Sequence, residues 1–218
     1  MEIVTAYDGV ISDADLAAVD AAVRQEQLIV MPTDTVYGIA SVPFAPAAVE
    51  RLQGAKGRGE EFPPPVLVAD ASELDRLMAR PGILGMPAPQ YDAAHALAKA
   101  FWPGPLTIIV KADPALGWNL GRTNGTIAIR QPGEPIALAI LKKTGPLAVT
   151  SANKHGSAPA TNVDAAKAYF WEKVAVYVDA GESESGHPST IVDLSQSAQP
   201  KLIRAGEITP ADIAAALA

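Results

Sequence analysis

Short apolar runs of the length of buried strands recur along the chain and alternate with stretches of helical periodicity. The runs predict eight β-strands, at residues 28–31, 66–68, 106–110, 126–130, 146–150, 174–178, 190–194 and 201–204. Six helices are predicted to begin after Ser12, near residues 45, 92, 135 and 164, and at Pro210. Residues 80–90 carry three prolines and are predicted to form a surface loop.

The order of these elements predicts the fold class. Strands and helices alternate unevenly, and some strands follow one another directly. This order is typical of an α/β protein with a twisted, open, mixed parallel and antiparallel sheet flanked by helices. Because the sequence shows no internal repeat and no low-complexity linker, one domain is predicted over residues 1–218.

Polar residues two positions apart follow three of the apolar or helical segments. The pairs are Thr33 and Thr35, Lys56 and Arg58, and Ser151 and Asn153. A single cation, Arg130, ends the strand predicted at 126–130. Residues two apart in extended backbone point to the same side, so each pair can aim at one spot. Since ligands of open α/β sheets bind beyond the carboxyl ends of strands, these side chains predict a site for a ligand with phosphates and a carboxylate.

Each of these signals also has a purely structural interpretation. The two threonines can satisfy backbone groups in a turn, and Ser151 with Asn153 can cap a helix or turn. The Lys56 and Arg58 pair can be a solvated helix end, and Arg130 can be half of a surface ion pair. No single pair decides between these interpretations.

Composition narrows the function classes. The net charge of the 218 residues is −7, which disfavours a protein that holds nucleic acid through its phosphates and predicts weak or no direct binding of nucleic acid. With no cysteine and three scattered histidines, neither a disulfide nor a zinc site is expected. No apolar run approaches the ~20 residues that span a bilayer, and no signal peptide is recognisable, so a cytoplasmic location without membrane contact is expected.

Seven short blocks then occur in a characteristic order. They are PTDTVYG at 32–38, KGR at 56–58, WPGPLT at 102–107, IAIR at 127–130, TSAN at 150–153, STIVD at 189–193 and IRAG at 203–206. This succession resembles the YrdC-like family of L-threonylcarbamoyladenylate synthases over about residues 15–208. The chain ends soon after the last block, so it is similar to the short form of that family.

The resemblance implies a YrdC-like α/β fold with a concave ligand site. It also implies that L-threonine, bicarbonate (or CO2) and ATP give threonylcarbamoyl-AMP and pyrophosphate, with Mg²⁺ accompanying ATP and no structural metal. The product would pass to a separate tRNA threonylcarbamoyl transferase for N6-threonylcarbamoyladenosine modification.

The resemblance also assigns residues. It implies that L-threonine contacts Thr35, Arg130, Ser151 and Ser189. It implies that ATP contacts Lys56, Arg58, Thr126, Asn153, Thr161 and Arg204. Lys56 and Arg58 would be the catalytic pair, because adenylyl transfer needs charge neutralisation and alignment more than a protein nucleophile.

Three positions depart from the family pattern. Phe62 stands where many members have Asn, and Leu67 falls near the position of a His. His155 lies where Ser-Gly commonly follows the pair of Ser151 and Asn153, which is the SxN pair of the family. The roles of that asparagine and histidine therefore do not carry over. An RNA-binding or regulatory paralogue without the activity stays an alternative, as does an enzyme that makes another carbamoyl adenylate.

Overall fold

The strands join edge to edge in one sheet, in a computed structural model that describes residues 1–6, 8–82, 85–183 and 185–218. Within these residues the strands are β1 Glu2–Thr5, β2 Ile29–Met31, β3 Gly38–Ser41, β4 Val66–Leu67, β5 Leu106–Lys111, β6 Thr126–Arg130, β7 Leu147–Ser151, β8 Val176–Asp179, β9 Thr190–Asp193 and β10 Lys201–Arg204. Their order across the sheet is β1-β8-β2-β3-β7-β4-β6-β5-β9-β10. Parallel pairs such as β4 with β6 lie among antiparallel pairs such as β5 with β6, which confirms the predicted mixed sheet.

Helices cover much of this sheet. They are α1 Asp13–Arg24, α2 Pro46–Lys56, α3 Leu74–Leu77, α4 Ala88–Phe101, α5 Pro135–Thr144, α6 Val163–Phe170 and α7 Pro210–Ala216. The predicted start of α1 is confirmed, because the side chain of Ser12 accepts a hydrogen bond from the backbone N–H of Asp15 at 3.1 Å. The side chain of Thr209 caps α7 in the same manner, at 3.2 Å from the N–H of Asp212.

Two predictions about the elements need correction. Helix α4 begins at Ala88 rather than near residue 92, because Pro89 lies in the first turn, where a missing N–H costs no hydrogen bond. The predicted loop at 80–90 therefore ends earlier, and Ile83 and Leu84 within it lie outside the described residues. Strands β1 and β3 and helix α3 were not predicted; β3 begins with a glycine and α3 is only four residues long.

Apolar side chains alternate between two cores, one on each face of the sheet. Along β2, Val30 belongs to the core beneath α2, α4 and α6, whereas Ile29 and Met31 belong to the core beneath α1 and α5. Alternation of this kind follows from the two-residue period of a strand. The chain thus uses the central strands to bury apolar residues on both sides.

The far half of the sheet follows a different pattern. Ile127 and Ile129 of β6 and Ile108 of β5 enter the first core, while the residues between them face the other way. On that other face, Thr107, Ala128 and Arg130 line an open cavity instead of packing under a helix. The uncovered face of β5, β6 and β9 is therefore the floor of the candidate site.

Candidate functional site

A cavity of about 380 Å³ lies on the uncovered face, within the size range of small-molecule sites. Seven of the ten predicted site residues line it: Thr35, Arg58, Thr126, Arg130, Ser151, Ser189 and Arg204. Its apolar walls include Pro63, Leu67 and Ile109. A second cavity of about 310 Å³ adjoins it along Leu120 and Thr126. The structure thus brings together residues that are up to 169 positions apart in sequence, from Thr35 to Arg204.

Arg130 lies at the floor of the cavity and is 5% exposed. Its Nη2 donates to Oδ1 of Asp34 at 2.6 Å, its Nη1 to Oγ1 of Thr35 at 3.1 Å, and its Nε to the carbonyl of Gly104 at 3.0 Å. The other carboxylate oxygen of Asp34, Oδ2, is buried without a hydrogen-bond partner. These contacts fix the plane of the guanidinium and use three of its five N–H groups.

Lys56 takes a position that the sequence did not predict. Helix α2 ends at Lys56, and Gly57 turns the chain at φ 67°, a left-handed conformation that favours glycine. The backbone is therefore not extended here, and Lys56 and Arg58 point to different places. Lys56 is 1% exposed and lies behind the cavity wall, whereas Arg58 lines the cavity.

The ammonium of Lys56 joins the two residues of the SxN pair. It donates to the backbone carbonyl of Ser151 and to Oδ1 of Asn153 at 3.0 Å, with Oγ of Ser151 at 3.4 Å. Burial, together with repulsion from the charges of Arg58 and Lys154, lowers the pKa of Lys56 to about 7. Ser151 lines the cavity and Asn153 does not. Lys56 therefore contacts Ser151 and Asn153 themselves, and the two pairs do not all point at one ligand.

Arg58 lacks a carboxylate within salt-bridge distance in the part of the chain that the structure describes. Its Nε donates to Nδ1 of His155 at 3.0 Å, and its Nη1 to Oγ1 of Thr150 at 3.3 Å. Burial lowers the pKa of the Arg58 guanidinium. A partly buried cation with only neutral partners can take an anionic ligand without losing an ion pair.

Arg204 and Ser189 meet on the opposite wall. Arg204 donates from Nε to the backbone carbonyl of Ser189 at 2.9 Å and from Nη2 to its Oγ at 2.8 Å. The hydroxyl of Thr107 lies 2.8 Å from the same Oγ. Burial lowers the pKa of Arg204, and repulsion from Arg130 and Arg58 lowers it further. The three arginines therefore give the cavity a positive potential that favours a polyanion.

Thr161 lies outside the cavity lining. Its carbonyl accepts a hydrogen bond from the N–H of Ser183 at 2.7 Å, and Asn162 contacts the carboxylate of Glu182 at 2.6 Å. The hydroxyl of Tyr37 donates to the carbonyl of Gly181 at 2.7 Å. Thr161 thus neighbours the segment 181–188, of which Glu184 lies outside the described residues.

Several cavity residues were not among the predicted site residues. Thr107 and Thr150 are polar residues inside apolar strands, a signal that was present in the sequence. Phe62 lines the cavity although its ring is of a type usually assigned to a core. Asp34 does not line the cavity but pairs with Arg130, which does; it was visible as a turn residue, and its pairing across 96 positions is set by tertiary structure alone.

The model of the Sua5_yciO_yrdC family, described as telomere recombination, matches residues 21–206. A protein of Mycobacterium tuberculosis (strain H37Rv), provisionally named threonylcarbamoyl-AMP synthase, is 42% identical over 196 residues, covering 90% of this chain and 86% of its own. The threonylcarbamoyl-AMP synthase of Bacillus subtilis (strain 168) is 34% identical over 208 residues, covering 94% of this chain and 57% of its own.

A solved structure is similar over nearly the whole chain. The crystal structure of P. abyssi Sua5 complexed with L-threonine superposes with a TM-score of 0.87 at 28% identity, covering 99% of this chain and 61% of the other. The crystal structure of E. coli YciO superposes with a TM-score of 0.81 at 24% identity, covering 95% and 97%, which bears on the fold alone.

Proposed function

Because the chain belongs to the Sua5/yciO/yrdC family, we propose that it is a threonylcarbamoyl-AMP synthase, an adenylyl-transferring enzyme that uses L-threonine, bicarbonate or CO2, and ATP. The observation that carries this proposal is the convergence of Arg58, Arg130 and Arg204 on one cavity. Such a cavity suits a ligand set with several phosphates and a carboxylate. The product would supply a separate transferase that forms N6-threonylcarbamoyladenosine in tRNA, which agrees with a cytoplasmic location. None of the described helices is long and apolar enough to cross a membrane.

In the proposed reaction, the amine of L-threonine combines with CO2 and loses a proton to give the carbamate N-carboxythreonine. An oxygen of this carbamate then attacks the α-phosphorus of ATP, and the bond from that phosphorus to pyrophosphate breaks. Arg130 holds the threonine carboxylate with its remaining N–H groups, near the hydroxyls of Thr35, Ser151 and Ser189. Arg58 and Arg204 neutralise the triphosphate and the leaving pyrophosphate. Alignment of the two reacting groups in the cavity supplies the rest of the rate enhancement.

The other residues predicted to contact ATP differ in whether they line the cavity. Thr126 lines the cavity and offers its hydroxyl to ATP. Lys56, Asn153 and Thr161 are not among the lining residues, so Lys56 would act on the triphosphate through its charge and by holding the segment of Ser151 and Asn153.

Mg²⁺ would arrive with ATP. In the described ranges no three His, Asp or Glu side chains cluster in a way that could hold a metal. Of the described residues that line the cavity, Glu61 is the one with a carboxylate. This fits Mg²⁺, which usually keeps several waters and takes one or two carboxylates together with substrate phosphates.

The test of this function is threonine-dependent release of pyrophosphate. The protein incubated with ATP, bicarbonate and L-threonine should release pyrophosphate, and omission of threonine should abolish the release. L-valine, which replaces the hydroxyl of threonine with a methyl group, serves as the control substrate. Equal release with and without threonine would remove the basis of the proposal.

We expect ATP binding to take up protons above neutral pH. The pKa of Lys56 is lowered to about 7, so at pH 8 the side chain is mostly neutral before ATP binds. The negative triphosphate favours the ammonium and raises this pKa. The calorimetric heat of binding at pH 8 should therefore depend on the ionisation enthalpy of the buffer, and Lys56→Met should abolish the dependence. At pH 6 the side chain is charged in both states, so the buffer dependence of the parent protein and of Lys56→Met should be similar.

We expect tRNA to bind weakly to this chain alone. Its net charge is −7, and the cluster of arginines faces the interior of a cavity rather than a broad surface. Affinity for tRNA measured at ~150 mM salt should be weaker than about 1 μM, because phosphate contacts are already attenuated there. Submicromolar binding that falls steeply with added salt would instead favour an RNA-binding paralogue.

A further inference from the structure

The position of Arg58 depends on two side chains that have no part in the proposed chemistry. The guanidinium carbon lies 5.6 Å from the centroid of the Phe62 ring, and Nε donates to Nδ1 of His155 at 3.0 Å. The first distance is within the range of a cation–π interaction. The second contact needs a neutral imidazole whose proton is on Nε2, because only an unprotonated Nδ1 can accept.

Phe62 and His155 also contact each other. Their ring centroids lie 5.0 Å apart at an interplanar angle of 40°. Phe62 belongs to the loop after α2, while His155 belongs to the segment after β7. The backbone N–H of His155 donates to the carbonyl of Lys56 at 2.9 Å, which ties the second segment to the end of α2, two residues before Arg58. The two rings therefore contact each other and both contact Arg58, so together they form a support for its guanidinium.

The support formed by the two rings lies beside the cavity, where a ligand would bind, and not in the apolar core. Phe62 is 45% exposed and lines the cavity, so its ring buries little apolar surface in the fold. An arginine side chain has many rotamers, and ordering it on ligand binding costs free energy. A guanidinium already held by a ring face and a hydrogen bond loses less freedom when the ligand arrives.

We propose that Phe62 and His155 are positioning residues that pre-organise Arg58 for the triphosphate of ATP. This inference rests on the proposed function and extends it to two residues that act through a third. It assigns neither ring a direct contact with the reacting atoms.

The experiment is a double-mutant cycle on ATP affinity, measured calorimetrically without threonine. Phe62→Leu keeps the apolar bulk and removes the ring face, and it should weaken ATP binding about threefold or more, in line with one lost cation–π contact. His155→Phe keeps the ring contact and removes the acceptor, and it should weaken binding similarly. Phe62→Tyr keeps the ring face and should restore most of the affinity. Phe44→Leu changes an exposed phenylalanine away from the cavity and is the matched control.

The decisive measurement repeats Phe62→Leu and His155→Phe in a protein that also carries Arg58→Ala. If the rings act through Arg58, neither change should weaken ATP binding further there, since a cycle isolates such coupling. Equal losses in both backgrounds would overturn the inference and indicate direct contact with the nucleotide. Unchanged affinity of Phe62→Leu would overturn it as well.

The same measurements separate this inference from the proposed function. A parent protein that binds ATP but releases no pyrophosphate with threonine contradicts the function alone, and the affinity cycle still decides the positioning role. A parent protein with no ATP affinity contradicts both.

Discussion

Replacement of Arg58 with Ala is expected to lower turnover by about 10²-fold or more, a typical cost of losing one preorganised electrostatic group. Arg58 lines the cavity and has only neutral partners in His155 and Thr150, so its removal leaves no buried acid unpaired. The fold should therefore survive. Steady-state release of pyrophosphate at saturating ATP and threonine measures the effect.

Arg51→Ala is the matched control for this variant. Arg51 is also an arginine of the α2 region, but it pairs with Glu26 on the exposed surface. Its replacement should leave turnover unchanged. A folded Arg58→Ala variant with nearly parental activity would mean that Lys56 and Arg58 are only a solvated helix end.

Lys56→Ala should lose activity to a similar extent, for a partly different reason. The sequence placed Lys56 just after a helical segment, where it could be a solvated helix end, but it is 1% exposed and bonded to Ser151 and Asn153. Its removal leaves the carbonyl of Ser151 and Oδ1 of Asn153 without that donor. The thermal midpoint should therefore fall for Lys56→Ala and stay nearly unchanged for Arg58→Ala.

Replacement of Arg130 with Lys is expected to raise the threonine KM by about tenfold for each ~1.4 kcal/mol of binding energy lost. A guanidinium offers a carboxylate two parallel hydrogen bonds, whereas an ammonium offers a point charge. The lysine keeps a positive charge beside Asp34, so the substitution tests the two parallel hydrogen bonds of the guanidinium and not its charge. ATP affinity measured without threonine should change little.

The ion pair with Asp34 provides the competing explanation. Arg130 Nη2 lies 2.6 Å from Oδ1 of Asp34, so the arginine has a structural partner in addition to any ligand. If that pair is its whole role, Arg130→Lys should lower the thermal midpoint and leave the threonine KM unchanged. A fall in kcat together with a raised KM would show that Arg130 also aligns the carbamate.

Much of the fold was predictable because strand and helix periodicities were clear. The apolar runs along β2, β6 and β7 identified buried strands, and the polar residues at or just after the ends of those strands identified the cavity residues Thr35, Arg130 and Ser151. The arrangement around Lys56 was not predictable, because it depends on a left-handed turn at Gly57 that bends the chain out of the extended geometry assumed for a pair two residues apart. Local sequence did not reveal that the helix end enters the interior.

The positions that depart from the family pattern also form contacts that local sequence does not reveal. Phe62 and His155 were visible in the sequence as separate exceptions, 93 positions apart. The structure brings their rings together against Arg58. A contact of this kind arises only when β7 and the end of α2 lie side by side, so one sequence cannot reveal it.

Direct detection of the adenylate tests the central claim most closely. The protein is incubated with ATP, L-threonine and ¹³C-bicarbonate, and the products are examined at once by mass spectrometry. The account predicts a species with the mass of threonylcarbamoyl-AMP that is one mass unit heavier than with ordinary bicarbonate, and that is missing without threonine. Accumulation of AMP and pyrophosphate from ATP with no threonine-containing, ¹³C-labelled species would contradict it.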